Sequence, residues 1–359
     1  MAPSLEAVAS TRVSPDFFAP VRLPTEAPPQ LFVIVDTEEE FDWSAGFSRS
    51  NVSVTAIDEV GRLQDVLRPY KLKPTYVIDY PVASTPESAR RLARFAGKDE
   101  CHIGAHLHPW VNPPATEPLG PRTSYACNLG GDLERAKISA LREAIVANLG
   151  VTPRVYKAGR YGFGRTTADT LEALGFDVDV SVNPHMNYES DGGPSFEGFD
   201  VGPAFFGTRR KLLEVPCTTA FVGAARRLGE SLHRAASASW LQPLKAVGVL
   251  ARTGALNKIM LSPEGSTLDE MVAVTDTLVN DGVRTLSFTF HSPSLKPGCT
   301  PYVRTTAERD AFLKTIDRYC DYFLTTIRGV PGTPADLYDQ LSAGPHRGPR
   351  TQDQGRHTS

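Results

Sequence analysis

A chain of 359 residues with 41% hydrophobic and 22% charged side chains and a formal net charge of -3 has the balance of an ordinary globular domain, large enough to bury a sizeable core. Its Arg and Lys are scattered rather than gathered in a basic stripe, which argues against a nucleic-acid footprint and against a polyanionic partner. Cys101, Cys127, Cys217, Cys299 and Cys320 form no C-x-x-C pair, so neither a disulfide framework nor a zinc ribbon is expected, and reduced thiols in a cytoplasmic protein are the simplest reading.

The first residues, MAPSLEAVASTRVSPDFFAP, lack a charged start followed by an apolar run, so no secretory signal is expected. No apolar run is long enough to span a bilayer. Residues 1–29, rich in Pro, Ala and Ser, read as a flexible arm, and residues 344–359 as a disordered tail. One folded unit without internal repeats is left, residues 30–343.

Within that unit strand-like and helix-like segments alternate. Residues 31–36 (LFVIVD) form a continuous apolar run ending in an acid, the pattern of a strand buried on both faces. Residues 53–69 space Ile57, Val60, Leu63 and Leu67 three or four apart, as an amphipathic helix does, and Pro69 helps to end it. A strand over 74–79, a helix over 86–95 and a strand over 101–108 follow. Residues 132–149 predict a strong helix with Asp132 as cap and Gly150 as stop. Next come a short strand at 154–156, a helix at 165–174 closed by Gly175, strands at 176–182 and 211–215, and a helical stretch across 222–252. A helix at 267–279, a strand at 285–290 and a long helix at 307–327 complete the series. Such alternation without a break predicts one parallel barrel or one open wound sheet.

Folds of this class place their chemistry at strand ends. Three expected strands end in unusual polar residues. Asp36 and Glu38 are two apart on an extended segment, so both carboxylates can face one cavity; an exposed acidic turn is the plain alternative. His102, His106 and His108 place three of the eight histidines within seven residues at even spacing, and His106-x-His108 is a good grip for a divalent ion. His102 is the weakest of them, being furthest from the strand's C-terminal end. His291 follows the third apolar strand, and a pKa near neutrality suits it to proton transfer. A fourth segment, Lys157-Ala-Gly-Arg160-Tyr161-Gly, offers a guanidinium that can hold a carboxylate in a bidentate fork, or forms an ordinary surface turn. Carboxylates and paired histidines at barrel strand ends fit a metal-assisted hydrolase.

The segments DTEEEFDW, IGAHLHPWVNPP, NLGGDLERAKI, GRYGFG, LSPEG and FHSPSLKPGCTPYVR, in that order, resemble the polysaccharide deacetylase family (NodB homology, carbohydrate esterase family 4), and more closely its WalW-type branch. The resemblance spans about residues 31–328. It implies a distorted (β/α)7 barrel of parallel strands. It also implies hydrolysis of an N-acetyl, or less often O-acetyl, group on a carbohydrate, helped by a divalent metal such as zinc. On that resemblance Asp36 matches the base, His106 the first metal histidine, Arg160 the arginine that orients the base, and His291 the acid that protonates the leaving group. Two positions depart from the family pattern: Thr37 stands where a second aspartate is usual, and Trp110 where a second histidine is usual. Spacing offers Glu38 and His108 as the replacement ligands; failing that, the site works without metal. Trp43, Trp110 and Tyr161 adjoin the motifs and can line a glycan groove or simply pack in the core.

Two other readings compete. Amidohydrolase-type and PHP-type metallohydrolases also use His-x-His, but on the first barrel strand, whereas here the first strand ends in Asp36. A catalytically inactive carbohydrate-binding protein of the same fold is the alternative from a different class. Neither the glycan nor the oligomeric state is written in these motifs.

Overall fold

The computed structural model describes residues 12–42, 45–208, 211–237 and 245–343. Trp43, residues 1–11 and the tail at 344–359 lie outside the described residues. Seven strands form the frame: β1 (Gln30–Thr37), β2 (Thr75–Ile78), β3 (His102–Leu107), β4 (Val155–Ala158), β5 (Val178–Asp179), β6 (Leu212–Glu214) and β7 (Thr285–His291). Each is parallel to its neighbour in the order β7-β1-β2-β3-β4-β5-β6. That is chain order, with the last strand returned beside the first. No ladder joins β6 to β7. The gap is bridged instead by Ser287, whose amide donates to the Thr218 hydroxyl at 2.8 Å and whose hydroxyl donates to the Pro216 carbonyl at 2.9 Å. The parallel-rich sheet is thus curled into a distorted, incompletely closed barrel, as the alternating pattern predicts.

Strand alternation sorts every side chain into one of two cores. Leu31, Val33 and Val35 pack outward under the helices, while Phe32 and Ile34 point into the barrel with Val77, Val155, Val178 and Leu213. The outer shell contains the helices Val60–Leu67, Pro86–Ala96, Gly131–Leu149, Arg165–Leu174, Leu268–Asn280 and Thr306–Asp321. Inside, the barrel is narrow enough that a Cβ on Gly104 would lie 2.8 Å from both the Val155 carbonyl and a Val77 methyl. At the N-terminal mouth, Ala335 and Leu337 of the helix Pro334–Ser342 join the inner core. No helix among the described residues is long and apolar enough to cross a membrane.

Several local expectations need correction. The helix at 131–149 is capped by Gly130, held at φ 85°, and Asp132 sits in its first turn, where a carboxylate meets the positive end of the helix dipole. The stretch across 222–252 is not all helix: Thr219–Val222 pairs antiparallel with Asn257–Met260, and among the described residues between them the 3-10 turn Arg226–Leu228 and the helices Gly229–Ala236 and Ala246–Arg252 are helical, residues 238–244 lying outside the described residues. Residues 12–29, set apart by composition, lie against the barrel. Ala19 and Pro20 pair with Phe205 and Ala204, and Phe18 is buried among Phe163, Phe199 and Phe206. Aromatic side chains anchor this segment despite its Pro and Ser content.

Candidate active site

The inward column of β1 runs Phe32, Ile34, Asp36, so the strand that buries apolar side chains in the barrel delivers a carboxylate at its C-terminal end. The same alternation aims Lys157 inward from β4, two residues past Val155, and His106 inward from β3, two past Gly104. Lys157 Nζ donates to both Asp36 oxygens, at 2.7 Å each. Burial alone would raise the Asp36 pKa, but Lys157, then His106 and His291, outweigh it and hold the carboxyl at about 2. Burial lowers and Asp36 raises the Lys157 pKa, and the net shift is upward. The pair is therefore fully charged at neutral pH.

Hydrogen bonds fix the two histidines. His106 Nδ1 lies 3.1 Å from the Lys157 carbonyl oxygen, which can only accept, so Nδ1 carries the proton and Nε2 presents a lone pair. His108 Nδ1 lies 2.7 Å from Glu39 Oε2, so its Nε2 is the nitrogen turned toward Glu38. Both Nε2 atoms are 3.3 Å from Glu38 Oε2. Burial would raise the Glu38 pKa, but His291, His108 and His106 lower it.

Two imidazole lone pairs and a carboxylate oxygen aimed at one another repel unless a cation sits among them. Ligands at 2.0–2.1 Å in a tetrahedron are about 3.3–3.4 Å apart. Glu38, His106 and His108 thus fit a divalent ion in both donor type and spacing. Glu39, Asp79 and His108 form a second close trio. Their polar atoms are already engaged: Glu39 accepts from Trp110 Nε1 at 2.7 Å, and Asp79 accepts from the Glu39 and Val82 amides at 2.8 Å each. Burial, then the Glu39 carboxylate, pushes Asp79 far up; burial and the Glu38 charge push Glu39 to about 8. Asp79, raised furthest, takes up a proton first, and Glu39 is the group that orients His108. Trp110 stacks on His108 with ring centroids 4.3 Å apart. Glycine at 159 is needed beside them, since a Cβ there would lie 2.5 Å from the His108 ring.

His291 stands in register with Asp36 on the neighbouring strand, its Nε2 3.7 Å from Asp36 Oδ2. Its Nδ1 meets Glu264 Oε2 at 2.6 Å. Glu264 is itself held by the His291 amide and the Ser294 hydroxyl. Burial would lower the His291 pKa, but Glu264 and then Glu38 raise it to about 10, so the ring is an imidazolium at neutral pH.

These groups floor a cavity of about 170 Å³ whose wall is Phe41, Phe47, Trp110, Arg160 and Tyr161. Arg160 does not reach Asp36; Lys157 takes the place that the resemblance gives to the arginine. The Arg160 guanidinium turns to Asp191 and to the Ser124 hydroxyl, and its centre lies 4.3 Å from the Tyr125 ring centroid. Arg160 and Tyr161 both hold left-handed backbone, φ 54° and 60°, and bring their side chains to the mouth. Tyr161 stacks on Tyr188 at 5.4 Å. His102 begins β3 and lies away from the pocket. Lys157, Glu39, Asp79 and Glu264 are the site residues that the motifs alone do not single out.

No protein-family model and no curated protein sequence matches the chain. Solved structures do resemble it. A probable polysaccharide deacetylase from Pseudomonas aeruginosa PAO1 aligns with a TM-score of 0.50 at 14% identity, over 90% of this chain and 93% of that one. A family 4 carbohydrate esterase from Streptomyces lividans gives 0.40 at 13% identity over 85% and 92%, and a family 4 pseudoenzyme from Bacillus anthracis gives 0.42 at 10% identity over 91% and 70%. At such identities the likeness to the Pseudomonas protein is one of fold: both chains form the parallel-rich, distorted α/β barrel.

Proposed function

We propose that the chain is a metal-assisted hydrolase of the polysaccharide deacetylase kind, of the WalW-type branch, which removes an acetyl group from an N- or O-acetylated carbohydrate. The observation that carries this reading is the convergence of Glu38 Oε2, His106 Nε2 and His108 Nε2 beside the Asp36–Lys157 pair and the His291 imidazolium in one cavity. Zinc suits two imidazoles and a carboxylate. A divalent ion held there would acidify a water and polarise the acyl carbonyl, which a base as weak as Asp36 requires.

Asp36 accepts the water's proton, kept ionised and aimed by Lys157. His291, an imidazolium backed by Glu264, gives a proton to the departing amine or alkoxide. Phe41, Phe47 and Tyr161 offer ring surface for the sugar, with Trp110, itself buried against His108, behind them. The partner is then an acetylated carbohydrate.

The test is acetate release from a panel of acetylated oligosaccharides, with zinc counted per chain. We expect one ion per chain, release that a chelator abolishes, and a loss of at least about a hundredfold in Asp36→Asn and in His291→Ala. His108→Ala should lower the zinc count; an unchanged count would remove His108 from the ligand set. Sugar binding without any release would favour the inactive binding protein, a reading supported by Trp110 at the usual second histidine position and by the outward turn of Arg160.

A further inference from the structure

The strands Thr219–Val222 and Asn257–Met260 leave the barrel beside the pocket, where the Tyr161 hydroxyl is 3.9 Å from Met260 Sδ. Between them they carry an excursion whose composition the whole-chain charge conceals. From 223 to 256 it holds Arg226, Arg227, Arg234, Lys245 and Arg252 against one acid, Glu230, in a chain whose net charge is -3; Arg226 pairs with Asp281 and Arg234 with Glu197 from outside it. Its helix Ala246–Arg252, AVGVLAR, is apolar until its last residue, yet none of its residues is buried. Val249 is 51% exposed, Leu228 65%, and Val247 is exposed as well. So short a helix is marginal in water by itself; among the described residues it leans on the helix Gly229–Ala236 and the strand Asn257–Met260 and leaves Val247 and Val249 exposed.

Exposed apolar side chains accompanied by Arg227, Lys245 and Arg252, the cations not taken up by Asp281 and Glu197, match the boundary of an anionic bilayer, where the apolar groups enter the headgroup layer and the cations meet lipid phosphates. A second copy of the chain or a nucleic acid would use the cations and leave the apolar helix unexplained or half explained. We propose that this excursion docks the protein on the surface of an anionic membrane, through Leu228, Val247 and Val249 with Arg227, Lys245 and Arg252.

The full chain is sedimented with vesicles of phosphatidylcholine alone and of phosphatidylcholine mixed with phosphatidylglycerol. Binding is expected only to the mixed vesicles and should weaken as salt is added. Each basic side chain near such a surface is worth about fivefold in affinity, so the double variant Arg227→Glu/Arg252→Glu should bind at least about thirtyfold more weakly. Leu228→Ser/Val249→Ser should also weaken binding, though every cation is kept. Both variants alter exposed side chains, should melt at the parent's temperature, and should release acetate from a soluble substrate at the parent's rate. The docking thus stands or falls apart from the catalytic reading. No vesicle binding, equal binding to both vesicle types, or binding that neither variant alters overturns it. So does a dimer in light scattering that the same variants dissolve, or capture of RNA without lipid.

Discussion

Lys157 decides the state of Asp36. Removing the ammonium in Lys157→Met leaves a buried carboxylate without its partner, a change that costs about 3–5 kcal/mol in comparable buried pairs. Denaturant titration should show that loss, and Lys157→Met/Asp36→Asn should recover much of it. The sign of the pH effect follows from the lowered carboxyl. Asp36 titrates at about 2 when folded against 3.8 for an unperturbed aspartate, so its stabilisation is complete above about pH 4 and is lost as the pH falls toward 2. Glu264 acts on His291 in the opposite sense. In the proposed reaction the imidazolium is the acid, so activity should fail as pH rises through its pKa, about 10. Glu264→Gln withdraws the largest raising influence, and the alkaline limb of the rate profile should move toward neutrality; an unmoved limb would show that His291 is not the acid. For Glu39→Gln the expected result is a zinc affinity lower by about 10–100-fold in chelator competition, since the orienting partner of His108 is weakened.

Among the elements, what could be read in advance was whatever depended on alternation. Asp36, Glu38, His106, His108 and His291 line one cavity because period two along strands that are apolar up to their ends fixes where the terminal polar residue points. Glu39 fell outside that reasoning: it is one residue out of phase with Asp36, and its task depends on a histidine 69 positions away. Asp79 and Glu264 likewise acquire their parts only when the barrel brings other strands beside them. Lys157 had an apolar strand in front of it, yet the guanidinium three residues later drew the assignment by resemblance. The hairpin at 219–222 and 257–260 was hidden because each strand is four residues long and separated from its partner by an insertion. One joint between helices yields its own prediction. Glu134, on the helix Gly131–Leu149, accepts from the hydroxyls of Thr166 and Thr167 at the start of the next helix, and burial pushes its carboxyl up to about 7. A raised acid means that the folded chain binds more protons than the unfolded one, so this site loses stability as pH rises from about 4.5 to 7. Glu134→Gln should flatten that slope by up to about 3 kcal/mol across the interval, measured by denaturation at a series of pH values.

For the whole molecule, the barrel is sealed at one end. Leu337 is fully buried against the inner column of β1, and Leu337→Ala should cost about 2–5 kcal/mol in thermal or chemical unfolding. With that end plugged by the helix Pro334–Ser342, the described residues give the proposed reaction the form of a cul-de-sac: what enters and what departs pass the mouth lined by Phe41, Phe47, Trp110, Arg160 and Tyr161. The deacylated sugar, lying across the aromatic rim, would block the way out for acetate formed beneath it. Release is then ordered by size and depth, sugar first and acetate second. Acetate should accordingly compete with the incoming glycan for the empty enzyme, while the sugar product should not.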